Sequence, residues 1–179
     1  MRVDKVKNSR ELVRKYGIEY MDVIDEAYQK LYNFQPMTDA QKNYYKRMYF
    51  PLLNFDFVTI VVNEKNEIVG VGLGMPDISN ALRKCRGRLF PFGWYHILKA
   101  LKAKQMDVFS FLLVAIRPDY QDKGIMALLF QDQMPIINKY GIKILETTNI
   151  LETNTKNIAN FTQFDHKIHK RHRAYIKAI

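Results

Sequence analysis

The 179 residues suit one domain, 1–179, and with 47% apolar and 13% aromatic side chains they can bury one sizeable core. Lys and Arg outnumber Asp and Glu 28 to 18, and the formal charge of +10 points to a polyanion: nucleic acid, an acidic membrane surface or a phosphorylated cofactor. No apolar run approaches the roughly 20 residues of a spanning helix, and the start Met1-Arg2-Val3-Asp4-Lys5 lacks a signal peptide's apolar segment. A single cysteine, Cys85, excludes an internal disulfide, so the chain reads as a cytoplasmic protein.

Leu12, Tyr16, Tyr20, Val23, Ala27 and Leu31 recur every three or four residues and predict an amphipathic helix. Asn8 and Glu11 would cap its start, and Gly17 is placed to interrupt it. Thr38-Asp39-Ala40-Gln41 has capping-box spacing and predicts a second helix that stops before Pro51. Phe57 to Val62 and Ile68 to Met75 are β-rich runs around the polar turn 63–67, which makes them a hairpin. In the second run Gly70, Gly72 and Gly74 alternate and share one face, left bare for the close approach of a substrate or of a packed helix.

Ile78 to Lys104 reads as two short helices broken between Gly87 and Gly93. Phe90, Phe92, Trp94 and Tyr95, beside Pro91, are read as core aromatics, with a substrate lid as the alternative. Val108 to Ile116 is apolar at nearly every position, as in a central strand buried on both faces. A loop and a long helix follow, with Pro135 expected to bend it and Gly141 to cap it after Tyr140. Lys143 to Thr147 predicts a strand, Thr155 to about Ile168 a helix, and Ala174 to Ala178 a last short strand. The pattern is that of a mixed α/β domain.

The chemistry is concentrated in Ile116-Arg117-Pro118-Asp119-Tyr120-Gln121-Asp122-Lys123-Gly124-Ile125-Met126-Ala127. A strand ends at Pro118, and a polar loop with one glycine enters a helix. Such a helix start presents N–H groups that have no partner within the helix, and the helix dipole adds partial positive charge, so a pyrophosphate is a natural ligand. Lys123 adds a point charge, and Gly124 admits a close approach of the backbone.

This stretch resembles the cofactor motif of the GNAT acetyltransferases, Val-x-Pro-x-x-Arg/Gln-x-x-Gly-x-Gly/Ala before a helix. Pro118, Gln121 and Gly124 match, Ile116 stands for the valine, and Met126 departs from the final Gly/Ala. The order of elements is also similar to that family's. More narrowly, Arg88 to Trp94 and Leu151 to Asn154 resemble the C-terminal half of larger, two-part bacterial GNAT-like proteins.

The resemblance implies a GNAT fold: a central mixed sheet with flanking helices and one splayed pair of parallel strands. It further implies acetyl-CoA as cofactor, held by Leu113, Val114, Ala115 and Ile116 on the central strand, by Gln121, Asp122, Lys123, Gly124, Ile125, Met126 and Ala127 in the loop, and by Asn154 and Phe161 beyond it. The acceptor implied is an amine of unspecified chemistry, which attacks the thioester directly. Asn154 fits the family's Asn-x-x-Ala helix start, whereas Asn157 replaces the alanine. Phe161 replaces a tyrosine that often protonates the leaving thiolate. Glu146 and Glu152, on and after the neighbouring strand, are candidates to take the amine's proton; a surface or capping carboxylate is the alternative for each.

Met126 and Phe161 leave open a non-catalytic acyl-CoA-binding domain. The charge leaves open a nucleic-acid-binding module, although no interleaved aromatics or helix-turn-helix pattern supports one. From Asp165 to Ile179 five Lys and Arg stand against one acid. His166, His169 and His172 fall three apart there among cations that would repel a dication, so no metal is expected. The expected partners are acetyl-CoA and an amine, with no membrane. Dimer formation and membership of a two-domain protein stay open.

Overall fold

The strands of the computed structural model, which describes residues 1–175 and 177, run across one sheet in sequence order. They are β1 (Arg2–Asp4), β2 (Val58–Val62), β3 (Ile68–Pro76), β4 (Val108–Ile116) and β5 (Ile144–Thr147), antiparallel except for the parallel pair β4–β5. The helices are α1 (Ser9–Tyr16), α2 (Glu19–Tyr28), α3 (Asp39–Tyr49), α4 (Ser79–Cys85), α5 (Gly93–Leu101), α6 (Ile125–Tyr140) and α7 (Thr155–Ala159). The chain divides into two units, Met1–Thr148 and Asn149–Ile179.

In the first unit both faces of the sheet are covered, which is why all five residues of β2 are buried. On one face Leu12, Tyr20, Val23 and Ile24 of α1 and α2 pack on Val58, Ile60, Ile68, Val71 and Ala115. On the other, Ile125 and Leu129 of α6 pack on Val61 and Val69. The bare glycine face lies under α6. A Cβ on Gly70 would sit 2.7 Å from the Ile125 Cγ2, and one on Gly72 would sit 3.4 Å from Leu129. At Gly74 the occupant is the Phe109 ring, with its Cζ 1.9 Å from an added Cβ. Helix and ring packing explain all three glycines.

Local signals set several boundaries. Asn8 accepts from the Glu11 N–H at 3.0 Å, and Thr38 and Gln41 form both bonds of a capping box. The stretch from Leu12 to Leu31 is two helices, because Gly17 at a positive φ of 58° ends α1 and its N–H closes on the Val13 carbonyl. The mostly buried Lys42 on α3 binds Asp22 at 2.7 Å and Asp25 at 2.8 Å, tying α3 to α2. The three-residue β1 carries too short a pattern to read, and it forms by pairing with β2.

Two readings of the first unit need correction. Only Phe109 and Ala115 of β4 are fully buried, and the rest of the strand is half-buried rather than enclosed on both faces. The aromatics around Pro91 are not core: Phe90 is 80% and Phe92 72% exposed, and Trp94 and Tyr95 are also exposed. α4 and α5 pack chiefly on each other, so the loop between them has no sheet to cover.

In the second unit, helix is confined to α7 instead of reaching Ile168. Asn154 caps it by accepting from the Asn157 N–H at 3.3 Å, and turns follow to Phe164. Residues 165–175 are exposed and irregular, since their run of charges offers no apolar face to bury. The last strand expected, Ala174 to Ala178, falls partly outside the described residues, and none of its described residues is in a strand.

Candidate cofactor site

β4 and β5 begin as a regular parallel pair, Val108 opposite Ile144 through Phe111 opposite Thr147, and pairing stops there. The Thr148 hydroxyl closes it by donating to the Leu112 carbonyl at 3.0 Å. At the same point β4 is bulged against β3: Leu73 pairs with Leu113 and Gly74 with Phe111, which leaves Leu112 as the extra residue. Past the bulge, Leu113 to Ile116 keep β3 on one side and lose β5 on the other. The strands therefore splay.

The backbone facing that gap follows from alternation. Arg117 N–H donates to the Val69 carbonyl at 3.0 Å, so Ala115 and Leu113 turn their polar groups to β3, while Val114 and Ile116 turn theirs to the gap. There the Val114 carbonyl accepts the Tyr28 hydroxyl at 2.9 Å, and the Ile116 carbonyl lies 3.4 Å from the Gln121 side-chain amide. Among the described residues the N–H groups of Val114 and Ile116 have no strand partner, so an extended ligand carrying amide groups can add to this edge as a further strand would.

β4 delivers the chain into a 3-10 turn at Pro118–Tyr120, and the loop then passes through left-handed residues Asp122 (φ 60°) and Gly124 (φ 79°). Gly124 is the N-cap of α6, and Leu128 N–H to the Gly124 carbonyl is the first helical bond, at 3.3 Å. The N–H groups of Ile125, Met126 and Ala127 thus precede the ladder and face outward at the positive end of a 16-residue helix. A Cβ built on Gly124 meets nothing within 4 Å, so the space before these donors is open. This arrangement fits an anionic group brought close to the backbone.

The side chains here divide into anchors and exposed groups. Ile125 is buried, and Met126 packs with it against the Val61 and Val69 cluster, so the thioether lies on the core rather than over the helix start. Gln121, Asp122, Lys123 and Ala127 are exposed, and the Lys123 ammonium sits 5.0 Å over the Tyr120 ring. Arg117 is drawn away by Glu19 at 3.3 Å and Glu26 at 3.4 Å, which leaves Lys123 as the loop's exposed cation.

Sequence reasoning passed over two participants. Tyr28 shares the inward face of α2 with Tyr20 and Ile24, an i, i+4, i+8 signal that the apolar pattern contained. Burial pushes its phenol pKa up, so it stays protonated at neutral pH. The Leu112 bulge has no sequence signal, because it is a relation between two strands.

Of the expected site residues, Leu113 to Ile116 and Gln121 to Ala127 lie consecutively along one edge. Glu146 is half-buried on β5 opposite Ser110, at the last regular pairings before the splay. Glu152, Asn154 and Phe161 belong to the second unit. There Glu152 is exposed in a turn, Asn154 caps α7, and the Phe161 N–H donates to the Ile158 carbonyl at 3.0 Å.

Solved structures share this architecture. An aminoglycoside acetyltransferase from an uncultured soil metagenomic sample, in complex with sisomicin, aligns over 99% of this chain and 96% of its own, with a TM-score of 0.58 and 13% identity. Naa20 of Chaetomium thermophilum, in complex with a bisubstrate analogue, aligns over 91% and 69% with a TM-score of 0.53 and 13% identity. An aminoglycoside 6'-N-acetyltransferase of Acinetobacter haemolyticus aligns over 100% and 99%, with a TM-score of 0.54 and 9% identity. The fold is that of the GNAT acetyltransferases.

No family model matches the chain. Among curated proteins it is 34% identical over 112 residues to Protein YghO of Escherichia coli K12, covering 60% of this chain and 28% of that protein. It is 23% identical over 100 residues to the bacterial ceramide synthase of Caulobacter vibrioides, covering 56% and 26%. The matches thus span little more than a quarter of each curated relative. Among the described residues no group of His, Cys, Asp and Glu is placed to hold a metal ion, and no helix is long and apolar enough to cross a membrane.

Proposed function

We propose that this GNAT-fold chain is an acyl-CoA-dependent N-acyltransferase, with acetyl-CoA as the simplest donor. The observation that carries the reading is the continuous edge from the Leu112 bulge to Ala127, in which a strand opened by splaying leads directly into a glycine-capped helix start. The N–H groups of Ile125, Met126 and Ala127, with Lys123, suit a pyrophosphate. The Val114 and Ile116 edge suits the amides of a pantetheine arm. Bound there, the thioester supplies an activated acyl group to an amine. The protein's part is to align the two and to stabilise charge on the carbonyl oxygen.

Glu146 is the candidate proton acceptor on the strand beside the gap. Tyr28, held protonated by burial at the gap's edge, is a candidate donor where Phe161 has none to offer. Ceramide is an N-acylated amino lipid, so the similarity to a bacterial ceramide synthase favours amide formation and brings long acyl chains and lipid amines into the test. The further proposal that the chain corresponds to the C-terminal half of a larger GNAT-like protein is supported by the greater length of both curated relatives.

Thermal-shift titration with CoA, acetyl-CoA and longer acyl-CoAs, then thiol release with peptide, aminoglycoside and long-chain amines, tests the reading. CoA binding without thiol release from any acceptor would favour a non-catalytic acyl-CoA-binding domain, the reading suggested by Phe161. No shift with any CoA species would end both.

A further inference from the structure

The loop from Arg86 to Phe92 presents apolar rings to water on a fixed support. The Arg88 N–H donates to the Cys85 carbonyl at 2.9 Å, the Trp94 N–H to the Leu89 carbonyl at 2.9 Å, and the Trp94 indole N–H to the Pro91 carbonyl at 2.9 Å. The Cys85 thiol, itself buried, lies 3.1 Å from the Gly93 carbonyl. Gly93 has no room for a side chain, since a Cβ there would be 1.9 Å from the Arg88 carbonyl oxygen. The loop is thus tightly folded, yet it hides neither Phe90 nor Phe92. Leu82 on α4, Leu89 in the loop, and Trp94, Tyr95 and Leu98 on α5 are exposed as well. So many large apolar side chains exposed on one hairpin, with Phe90, Pro91 and Phe92 brought together at its tip, mark an interaction surface rather than single scattered residues.

The charge that the hairpin itself carries has one sign. From Ser79 to Lys104 the sequence holds seven Lys and Arg and no Asp or Glu. Lys84, Arg86, Arg88 and His96 line, with Phe90 and Phe92, an open recess of about 400 Å³. Aromatic rings at a tip with cations behind them match the boundary of an anionic bilayer: rings enter the headgroup and acyl border, and ammonium and guanidinium groups meet phosphates. Nucleic acid fits less well, because Leu82, Leu89 and Leu98 cannot stack on bases but do partition into hydrocarbon.

We propose that the α4–α5 hairpin docks this protein on the surface of bilayers rich in anionic phospholipid, with Phe90 and Phe92 as the inserted residues. The hairpin lies on the membrane surface and does not span it. This surface is independent of the cofactor reading, since vesicle binding needs no CoA and CoA binding needs no vesicle.

The chain's one tryptophan, Trp94, lies in the patch and reports on it directly. The 179-residue chain is titrated with vesicles of phosphatidylcholine and phosphatidylglycerol in equal parts, and with phosphatidylcholine alone. Emission of Trp94 and co-flotation are read together. The mixed vesicles are expected to bind, to shift Trp94 emission to the blue and to expose it to quenching by brominated acyl chains. Phe90→Ser with Phe92→Ser is expected to weaken partitioning at least about tenfold, with the melting temperature unchanged because both rings are exposed. Arg86→Gln with Arg88→Gln is expected to weaken binding to the mixed vesicles and to make it less sensitive to salt.

Failure to bind the mixed vesicles overturns the proposal. So does binding that the Phe90 and Phe92 changes leave intact, which would assign it to the basic tail. A self-association abolished by those same changes, without vesicle binding, would give the surface to a second copy and also overturns it.

Discussion

Replacing Gly124 by Asp tests the loop where the geometry is most explicit. Gly124 has φ 79° and open space around its absent Cβ, so the new side chain meets strain from the backbone angle alone. That strain is about 1–2 kcal/mol for an ordinary residue and less for Asp. A carboxylate at the start of α6 returns about 0.3–1 kcal/mol through the helix dipole. The apo protein should therefore melt close to wild type.

Binding should respond differently, because the carboxylate projects to where a pyrophosphate would meet the N–H groups of Ile125 to Ala127. Two like charges 4 Å apart repel by about 4 kcal/mol at an effective dielectric constant near 20. Even half of that weakens affinity roughly thirtyfold. CoA at 100 times its wild-type Kd adds about 2.7 kcal/mol, or roughly 5–11 °C for a chain of this length. The same concentration on the variant would leave roughly 2–4 °C. Gly124→Ala carries the backbone strain without the charge and should keep most of the shift. If Gly124→Asp keeps the full wild-type shift, the pyrophosphate does not sit at this helix start.

Gly74→Ala should destabilise by at least about 1–3 kcal/mol in urea unfolding, since its Cβ would land inside the Phe109 ring; Gly72→Ala, with Leu129 at 3.4 Å, should be far milder, and equal losses would contradict the packing described. Tyr28→Phe removes the bond to the Val114 carbonyl and should cost about 1 kcal/mol of stability; a fall in thiol release of about 10²–10⁴-fold at saturating acyl-CoA would mark it as the proton donor, and unchanged turnover would restrict it to a structural role. Phe161→Tyr should keep or modestly raise turnover, and a large loss would exclude the place by the thioester that the family resemblance implies. The Lys139 ammonium, bonded to Asp56 at 2.9 Å, holds that carboxyl below its usual value with help from Tyr140 and against partial burial. A lowered folded-state pKa gives stability that is present above the unfolded value near 4 and lost as pH falls through the folded one. Urea midpoints of wild type and Asp56→Asn should thus differ most near neutrality and converge below about pH 4.

Much of this protein is written locally in its sequence. Asn8, Thr38 with Gln41, Gly17 and Gly141 end or begin helices through bonds and angles that involve only near neighbours, so their positions can be read without the rest of the chain. The same is true of Gly124, whose left-handed cap and free helix start need only the residues on either side. The alternation of Gly70, Gly72 and Gly74 fixes which face is bare, but not what fills it. The answer, α6 and the Phe109 ring, depends on a helix more than 50 residues away and on a neighbouring strand. The opening of β4 is likewise not a property of β4. An apolar run specifies a strand, while its free edge arises from where β5 ends and from the extra residue at Leu112 against β3. The aromatics around Pro91 show the same limit from the other side. Their hydrophobicity says that they want cover, and only tertiary structure decides that the chain leaves them without it, because α4 and α5 turn their packing toward each other and leave the loop between them at the surface.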